Sequence, residues 1–521
     1  MSDNPKSHPP RRHRGMITPP MLEEVEALAK LDHLELHPSE VTAIHQIVSA
    51  IVAAAARAET FEQPRRAPAR WLRDAGYEPQ PDDNPFNAFI RRCRVEGAAE
   101  GPLAGQTVAM KDNISVAGVP TTNGSRLPPY IPTEDAVVVE RILAAGGTIV
   151  GKLNMDEFGG GATGVMSAYG PARNPVDPTR SAGGSSGGSG AALRAGAVDL
   201  SLGVDQGGSG RIPASFCGVV AAKATHGLVP TYGLTHIDHT VDFITPMART
   251  VHGTALLLEV IAGEDWRDPQ WVRGPITTAR YTQTANDGVA GLRVGVLEES
   301  ISGVECDSAV EQGVETVASV LAGAGAVVQR VSLPIWRIGF AVFQPMVAHL
   351  IANMLRSEGE GYGHLGAIDV NRMQAFAAAR RVHSRDLNPY VKCWMIADKY
   401  LHERYLNITY GKLQNLRLEI RRQIGAMFAD YDLLLTPTTP NVAPKLFAEP
   451  PTLDELLGHS AASIAYNTAP LNPSGNPALS VPSGADNAGL PTGVQIIAKH
   501  FDEYTAFRAA FALEQKLGPF V

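Results

Sequence analysis

Two serine-bearing glycine runs, Gly183-Gly184-Ser185-Ser186-Gly187-Gly188 and Asp205-Gln206-Gly207-Gly208-Ser209-Gly210-Arg211, lie close together in a chain of 521 residues. Glycine has no Cβ, so its backbone turns where other residues cannot and lets N–H groups crowd around one small object. Such loops need rigid elements beside them. Val198, Leu200 and Leu202 alternate with Asp199 and Ser201 just before the second run, the pattern of a half-buried strand. A fold that accommodates this stretch must therefore deliver Ser209 from a strand end, with the amides of Gln206, Gly207 and Gly208 directly upstream. That arrangement suits a nucleophile attacking a carbonyl.

The surrounding pattern predicts an α/β protein. Thr107–Met110 forms a short apolar strand ending at Lys111, and Thr133 is placed to cap a helix running through Ala145. Thr148–Val150 follows as a strand. Val294–Leu297, then Val310, Val314, Val317 and Leu321 at helical spacing, then Val327–Val331 repeat the alternation. Leu433–Leu435, Ala478–Val481 and Val494–Ile497 add strands, and a helix from about Asp502 closes the chain. Strand–helix–strand alternation implies a large mixed, mostly parallel twisted sheet flanked by helices. Residues 335–425 are expected to be helical and to cover a substrate pocket.

Ahead of this body, residues 1–20 are expected to form a disordered basic tail, with Lys6, Arg11, Arg12 and Arg14 among prolines. Residues 21–83 comprise a helical appendage and a linker, the linker carrying Pro64, Pro68, Pro79 and Pro81. Leu22, Val25, Leu28 and Ala29 mark one helix, and Val41, Ile44, Ile47, Val48, Ile51 and Val52 a second. Residues 84–521 form the main domain.

A hydrophobic content of 44% allows a large core, and 51 glycines with 38 prolines suit many tight turns. The formal charge of −8 argues against nucleic acid as a partner. No stretch reaches about 18 uninterrupted apolar residues, so no membrane span or membrane partner is expected. Cys93, Cys217, Cys306 and Cys393 form no CxxC pair, consistent with reduced thiols in a cytoplasmic protein.

Several motif matches fail on context. Gly183–Gly187 fits the G-x-S-x-G pattern, but polar, proline-broken residues 173–180 stand where a nucleophile elbow requires a strand. Gly146–Leu153 matches a phosphate loop without its Ser/Thr, and its β-branched middle is strand-like. His236-Ile237-Asp238-His239 lacks a third ligand and is expected to be a solvated loop. No H-E-x-x-H zinc pattern occurs. A nucleophilic serine needs a base. Lys111 follows an apolar strand and precedes Asp112-Asn113; desolvation there would favour its neutral form.

Together these stretches resemble the amidase signature family of serine hydrolases. The matching residues run through Val108–Asn113, Gly151–Phe158, Asn174-Pro175, Gly183–Gly190 and Asp205–Gly218, with C-terminal echoes at Leu435–Pro440, Pro477–Pro482 and Gly489–Pro491. Coverage is roughly residues 85–515. The resemblance implies the amidase signature fold, with Ser209 as nucleophile, Ser185 as bridging serine and Lys111 as base. It implies an oxyanion hole from the amides of Gln206, Gly207, Gly208 and Ser209, and bracing of the loop by Asp205 and Arg211. No metal or organic cofactor is expected.

Within the family, Asp205-Gln206 and the helical appendage are most similar to bacterial amidases of nitrile degradation. The expected activity is hydrolysis of small carboxamides to carboxylate and ammonia through an acyl-enzyme, in a homodimer whose other partner is the small-molecule amide. The alternative is a tRNA-dependent amidotransferase subunit that passes ammonia onward within a complex; a third reading is a scaffold with a dead site. Gly210, Ala224 and Phe243–Pro246 depart from the family's commoner residues, and Gly210 is expected to loosen the site beside Ser209.

Overall fold

The computed structural model describes residues 17–62, 69–268, 270, 278–361, 366–447, 451–452, 454–455 and 463–520. The basic tail to residue 16 and linker residues 63–68 lie outside the described residues. The chain divides into two compact units, residues 1–68 and 69–521.

In the first unit, α1 (Leu22–Leu31) and α2 (Val41–Ala58) form a pair. The Glu24 carboxylate accepts the Met21 N–H at 2.8 Å, closing the first turn of α1. Val25, Ala29 and Val41 are buried, whereas Leu28, Leu31, Ile47 and Ile51 are exposed. Two short helices cannot bury two apolar faces between them.

Among the described residues, the second unit is built on twelve strands. In chain order these are β1 (Arg73–Tyr77), β2 (Phe89–Val95), β3 (Thr107–Lys111), β4 (Thr148–Leu153), β5 (Leu200–Asp205) and β6 (Val220–Lys223). Then come β7 (Phe243–Ala248), β8 (Arg293–Leu297), β9 (Val327–Val331), β10 (Leu433–Pro437), β11 (Ala478–Ala485) and β12 (Pro491–Ala498). Across the single sheet the order is β1-β2-β4-β3-β5-β7-β6-β11-β12-β10-β8-β9.

Helices α3 (Val137–Ala144), α4 (Gly187–Arg194), α5 (Arg211–Cys217), α6 (Val251–Ile261), α7 (Glu299–Ser302) and α8 (Ser308–Gly323) flank it. So do α9 (Gly339–Arg356), α10 (Val370–Val382), α11 (Pro389–Tyr405) and α12 (Ile408–Met427). One apolar cluster joins the sheet to α3, α6, α8 and helix Glu503–Leu517 through Ile142, Leu258, Val317 and Phe507. Another packs Trp336, Phe343, Met346, Leu350, Ile420 and Ile424 over the opposite side. A third is made largely of small residues around α4 and α5, including Ala191, Ala192, Ala214 and Cys217, and lets backbones approach closely.

The α/β class and the large mixed sheet stand as expected, but parallel pairing does not predominate. Only β3–β4, β3–β5, β8–β10 and β8–β9 pair parallel; the remaining seven neighbouring pairs are antiparallel. Several antiparallel strands escape the sequence pattern. β1 lies in the expected linker and pairs with β2 despite an apolar-poor RDAGY sequence. β5 is buried along its whole length, Ser201 and Asp205 included, because β3 and β7 cover both its edges and helices its faces.

Thr133 does not cap α3, which begins four residues later. Asp135 instead binds Arg73 at 2.9 Å and the Ala117 N–H at 2.8 Å, holding this stretch extended. Residues 335–425 are largely helical, as expected. Among the described residues, two helical stretches, Val41–Ala58 and Pro334–Arg356, have the length and apolar composition of a membrane span; half of the second is buried inside the fold.

Candidate active site

β3 ends on Lys111 between β4 and β5, in the interior of the sheet. The side chain is fully buried, and its Nζ lies 2.6 Å from Ser185 Oγ and donates to the Val204 carbonyl at 3.2 Å. Burial lowers the Lys111 pKa to about 7, against the upward pull of Asp156, Asp205 and Asp242. Desolvation thus favours the neutral amine over the ammonium form.

The loop bearing Ser185 is fastened from several directions. Ser185 is fully buried, and its carbonyl accepts the Asp156 N–H at 3.2 Å. Ser186 donates its N–H to the Ser209 carbonyl at 3.1 Å, which ties the two serine loops together. Its hydroxyl bridges to the Val204 backbone. Asp156 accepts the Met166 and Gly164 N–H groups at 2.7 and 3.2 Å, and burial pushes its pKa up to about 6. Close approach requires glycine here: a Cβ on Gly184 would sit 2.1 Å from Asp156 Oδ2.

The second loop closes on Asp205. Its carboxylate accepts the Gly208 N–H at 2.7 Å, the Gly210 N–H at 3.2 Å and the Arg211 Nε at 2.9 Å. Arg211 is itself fully buried and donates to Gln495 at 2.6 Å and Asn472 at 2.7 Å. Burial alone would raise the Asp205 pKa. The Arg211 guanidinium overcomes that and holds it well below the usual carboxylate range. This ion pair sets the turn between β5 and α5 that presents Ser209.

The structure thus brings Lys111, Ser185 and the Ser209 loop together and pairs Asp205 with Arg211. Three expectations need correction. Gly208 is not free to serve as one of four oxyanion donors, because its N–H is engaged by Asp205. The amides of Gln206, Gly207 and Ser209 remain. Gly210 does not loosen the site, because Thr245 of β7 fills the space, 2.7 Å from where a Cβ would stand. The His236 loop is only partly solvated: His236 and Ile237 are buried, Asp238 and His239 are half-buried, and the two imidazole rings lie 4.5 Å apart.

Ser209 opens onto a cavity of about 240 Å³. It is lined by Gln206, Gly207 and Ser209, by residues 159–163, Val165 and Met166, by α9 (Phe343, Val347) and by α11 (Tyr390, Trp394). Sequence reasoning missed Asp156, Asn472, Gln495 and the aromatic walls. Asp156 stands inside the matched stretch Gly151–Phe158, whereas Asn472 and Gln495 are over 260 residues from Arg211 and carry no local signal.

Residues 88–507 match the family described as Amidase. A relative from Halobacterium salinarum, named as one subunit of a glutamyl-tRNA(Gln) amidotransferase, is 43% identical over 82% of this chain and 100% of its own length. The crystal structure of the corresponding Thermotoga maritima protein is 33% identical, with a TM-score of 0.67 over 82% of this chain and 87% of that one. The peptide amidase of Stenotrophomonas maltophilia is 27% identical, with a TM-score of 0.66 over 80% and 83%.

The first two proteins are thus components of a larger assembly named for glutamyl-tRNA(Gln). Those subunit names point to protein partners and overturn the expectation of a homodimer whose other partner is a small-molecule amide. The narrower likeness to nitrile-pathway amidases has no counterpart in these names. On sequence and fold alike, the chain belongs to the amidase signature family, whose chemistry is at amide C–N bonds.

Proposed function

We propose that this chain is the amide-cleaving subunit of an amidotransferase-type assembly. The observation that carries the chemistry is the 2.6 Å contact between a fully buried Lys111, whose pKa burial lowers, and Ser185, beside the loop that presents Ser209 to the cavity. The subunit role is supported by the relatives named above, at 43% and 33% identity over 82% of the chain.

In this reading Ser209 Oγ attacks the carbonyl carbon of a carboxamide. Its proton passes to Ser185, and the Ser185 proton passes to neutral Lys111. The N–H groups of Gln206, Gly207 and Ser209 hold the oxyanion; one such donor is typically worth about 10²–10³ in rate. Lys111 then returns a proton through Ser185 to the amide nitrogen, the C–N bond breaks, and ammonia leaves. Partner subunits carry ammonia to an acyl acceptor, and water clears the acyl group from Ser209. Asp205 and Arg211 fix the loop without touching substrate. A tRNA-linked acceptor fits a cytoplasmic protein.

The test is covalent. A sulfonyl fluoride, and separately a carboxamide quenched during turnover, should each leave its group on the Ser209 peptide in mass spectrometry. Modification at another residue, with Ser209 bare, contradicts the assignment. Ammonia release by the isolated chain should be slow and should quicken when partner subunits are added; rapid turnover by the chain alone contradicts the subunit role.

A further inference from the structure

The cavity in front of Ser209 carries information about the acyl group it receives. Its aromatic walls are drawn tight against glycine backbone. A Cβ on Gly207 would lie 2.3 Å from the tip of the Phe343 ring, and one on Gly160 would lie 2.3 Å from the Trp394 indole. Phe343 therefore packs directly on the loop that holds Ser209. Met166, Ile237 and Val347 extend the apolar lining.

The polar groups of the lining are those of Gln206, Ser209, Thr163, Gln344 and Tyr390, together with backbone. Among the described lining residues there is no Asp, Glu, Lys, Arg or His. Buried ionisable groups near the lining have partners of their own, and Asp242 accepts the Ile237 and Asp238 N–H groups at 2.9 and 3.1 Å. The Asp156 carboxylate is held by the Met166 and Gly164 N–H groups, and the Lys111 amine sits on Ser185. An α-ammonium or α-carboxylate entering this cavity would lose water without gaining a counter-ion, which is strongly unfavourable.

Building on the reading of Ser209 above, we propose that this site takes a carboxamide with an uncharged, aromatic or branched apolar acyl group, selected by Phe343 and Trp394. It discriminates against zwitterionic amino-acid amides. A ring laid along Phe343 gains apolar and aromatic contact, while Gln344 and the Thr163 hydroxyl can serve at most one or two neutral polar substituents.

The experiment compares phenylacetamide, isovaleramide, acetamide, glutamine and asparagine on the full chain, reading both ammonia release and the acyl adduct on Ser209. Phenylacetamide and isovaleramide should exceed glutamine and asparagine in kcat/KM by about 10²-fold or more. Trp394→Ala and Phe343→Ala should each lower the phenylacetamide-to-acetamide ratio about tenfold, through KM rather than kcat. Trp394 is only half-buried, so its variant keeps the test open if the Phe343 variant fails to fold. A merely structural role would lower all five amides together. Glutamine acylating Ser209 as well as phenylacetamide overturns this proposal and leaves the nucleophile assignment intact. No adduct on Ser209 from any amide or from a sulfonyl fluoride overturns both.

Discussion

Ser209→Ala is expected to lower turnover of every amide by about 10⁴–10⁶-fold, the scale seen when a serine hydrolase loses its nucleophile. The fold should tolerate the change, since it removes one hydroxyl that borders a cavity and introduces no new contact. Unfolding by urea should therefore stay near wild type. Ser185→Ala and Lys111→Met should each cost a comparable factor, and a triple variant little more, because a relay fails as a unit. Near-normal turnover in the Ser209 variant, with an intact fold, would sink the mechanism.

The second large effect is on stability. Arg211→Leu should cost about 3–5 kcal/mol of unfolding free energy, because it strands the Asp205 carboxylate in a dry interior. Asp205 and Arg211 are both fully buried, and their closest contact is 2.9 Å. Asn472, which donates to Asp205 at 2.9 Å, and the Gly208 N–H would remain, but neither carries a charge.

The pH dependence has a defined sign. In the wild type the Asp205 pKa is held below its unfolded value, so the stability it contributes is fully present above about pH 4 and is lost as pH falls through the folded value. Without Arg211, burial raises that pKa instead. The variant's deficit should therefore shrink as pH falls and Asp205 becomes protonated. Denaturant curves across pH measure this; a deficit below about 1 kcal/mol at neutral pH contradicts the bracing role.

The catalytic loops are legible in the sequence because glycine runs, a strand lead-in and an apolar approach to Lys111 are local signals. Ser209 lies just past β5, and Lys111 ends β3, where the alternation and the short apolar run place them. Four antiparallel strands, β1, β2, β6 and β7, are not legible. β1 has almost no apolar residues, and β6 and β7 are short segments whose partners lie elsewhere in the chain, so pairing rather than propensity makes them strands.

The engagement of Gly208 by Asp205 is likewise a matter of which way an N–H points, and a residue string does not carry direction. Gln495 and Asn472 reach Arg211 only because β12 and the segment after Thr468 fold beside α5. The aromatic wall belongs to the same class. Phe343 and Trp394 sit on helices whose sequence reveals helicity but not what they face.

Lys111 stands out in the sequence by its setting, and that setting is what makes the chemistry possible. The most direct measurement is the rate of Ser209 acylation, followed before steady state, as a function of pH. Removing a proton from Lys111 switches the relay on, so the rate should rise with pH to a plateau with its midpoint near pH 7. Lys111→Met should abolish that limb along with nearly all of the rate. A rate that is flat from about pH 5 to 9, or a limb that persists in Lys111→Met, would contradict the account.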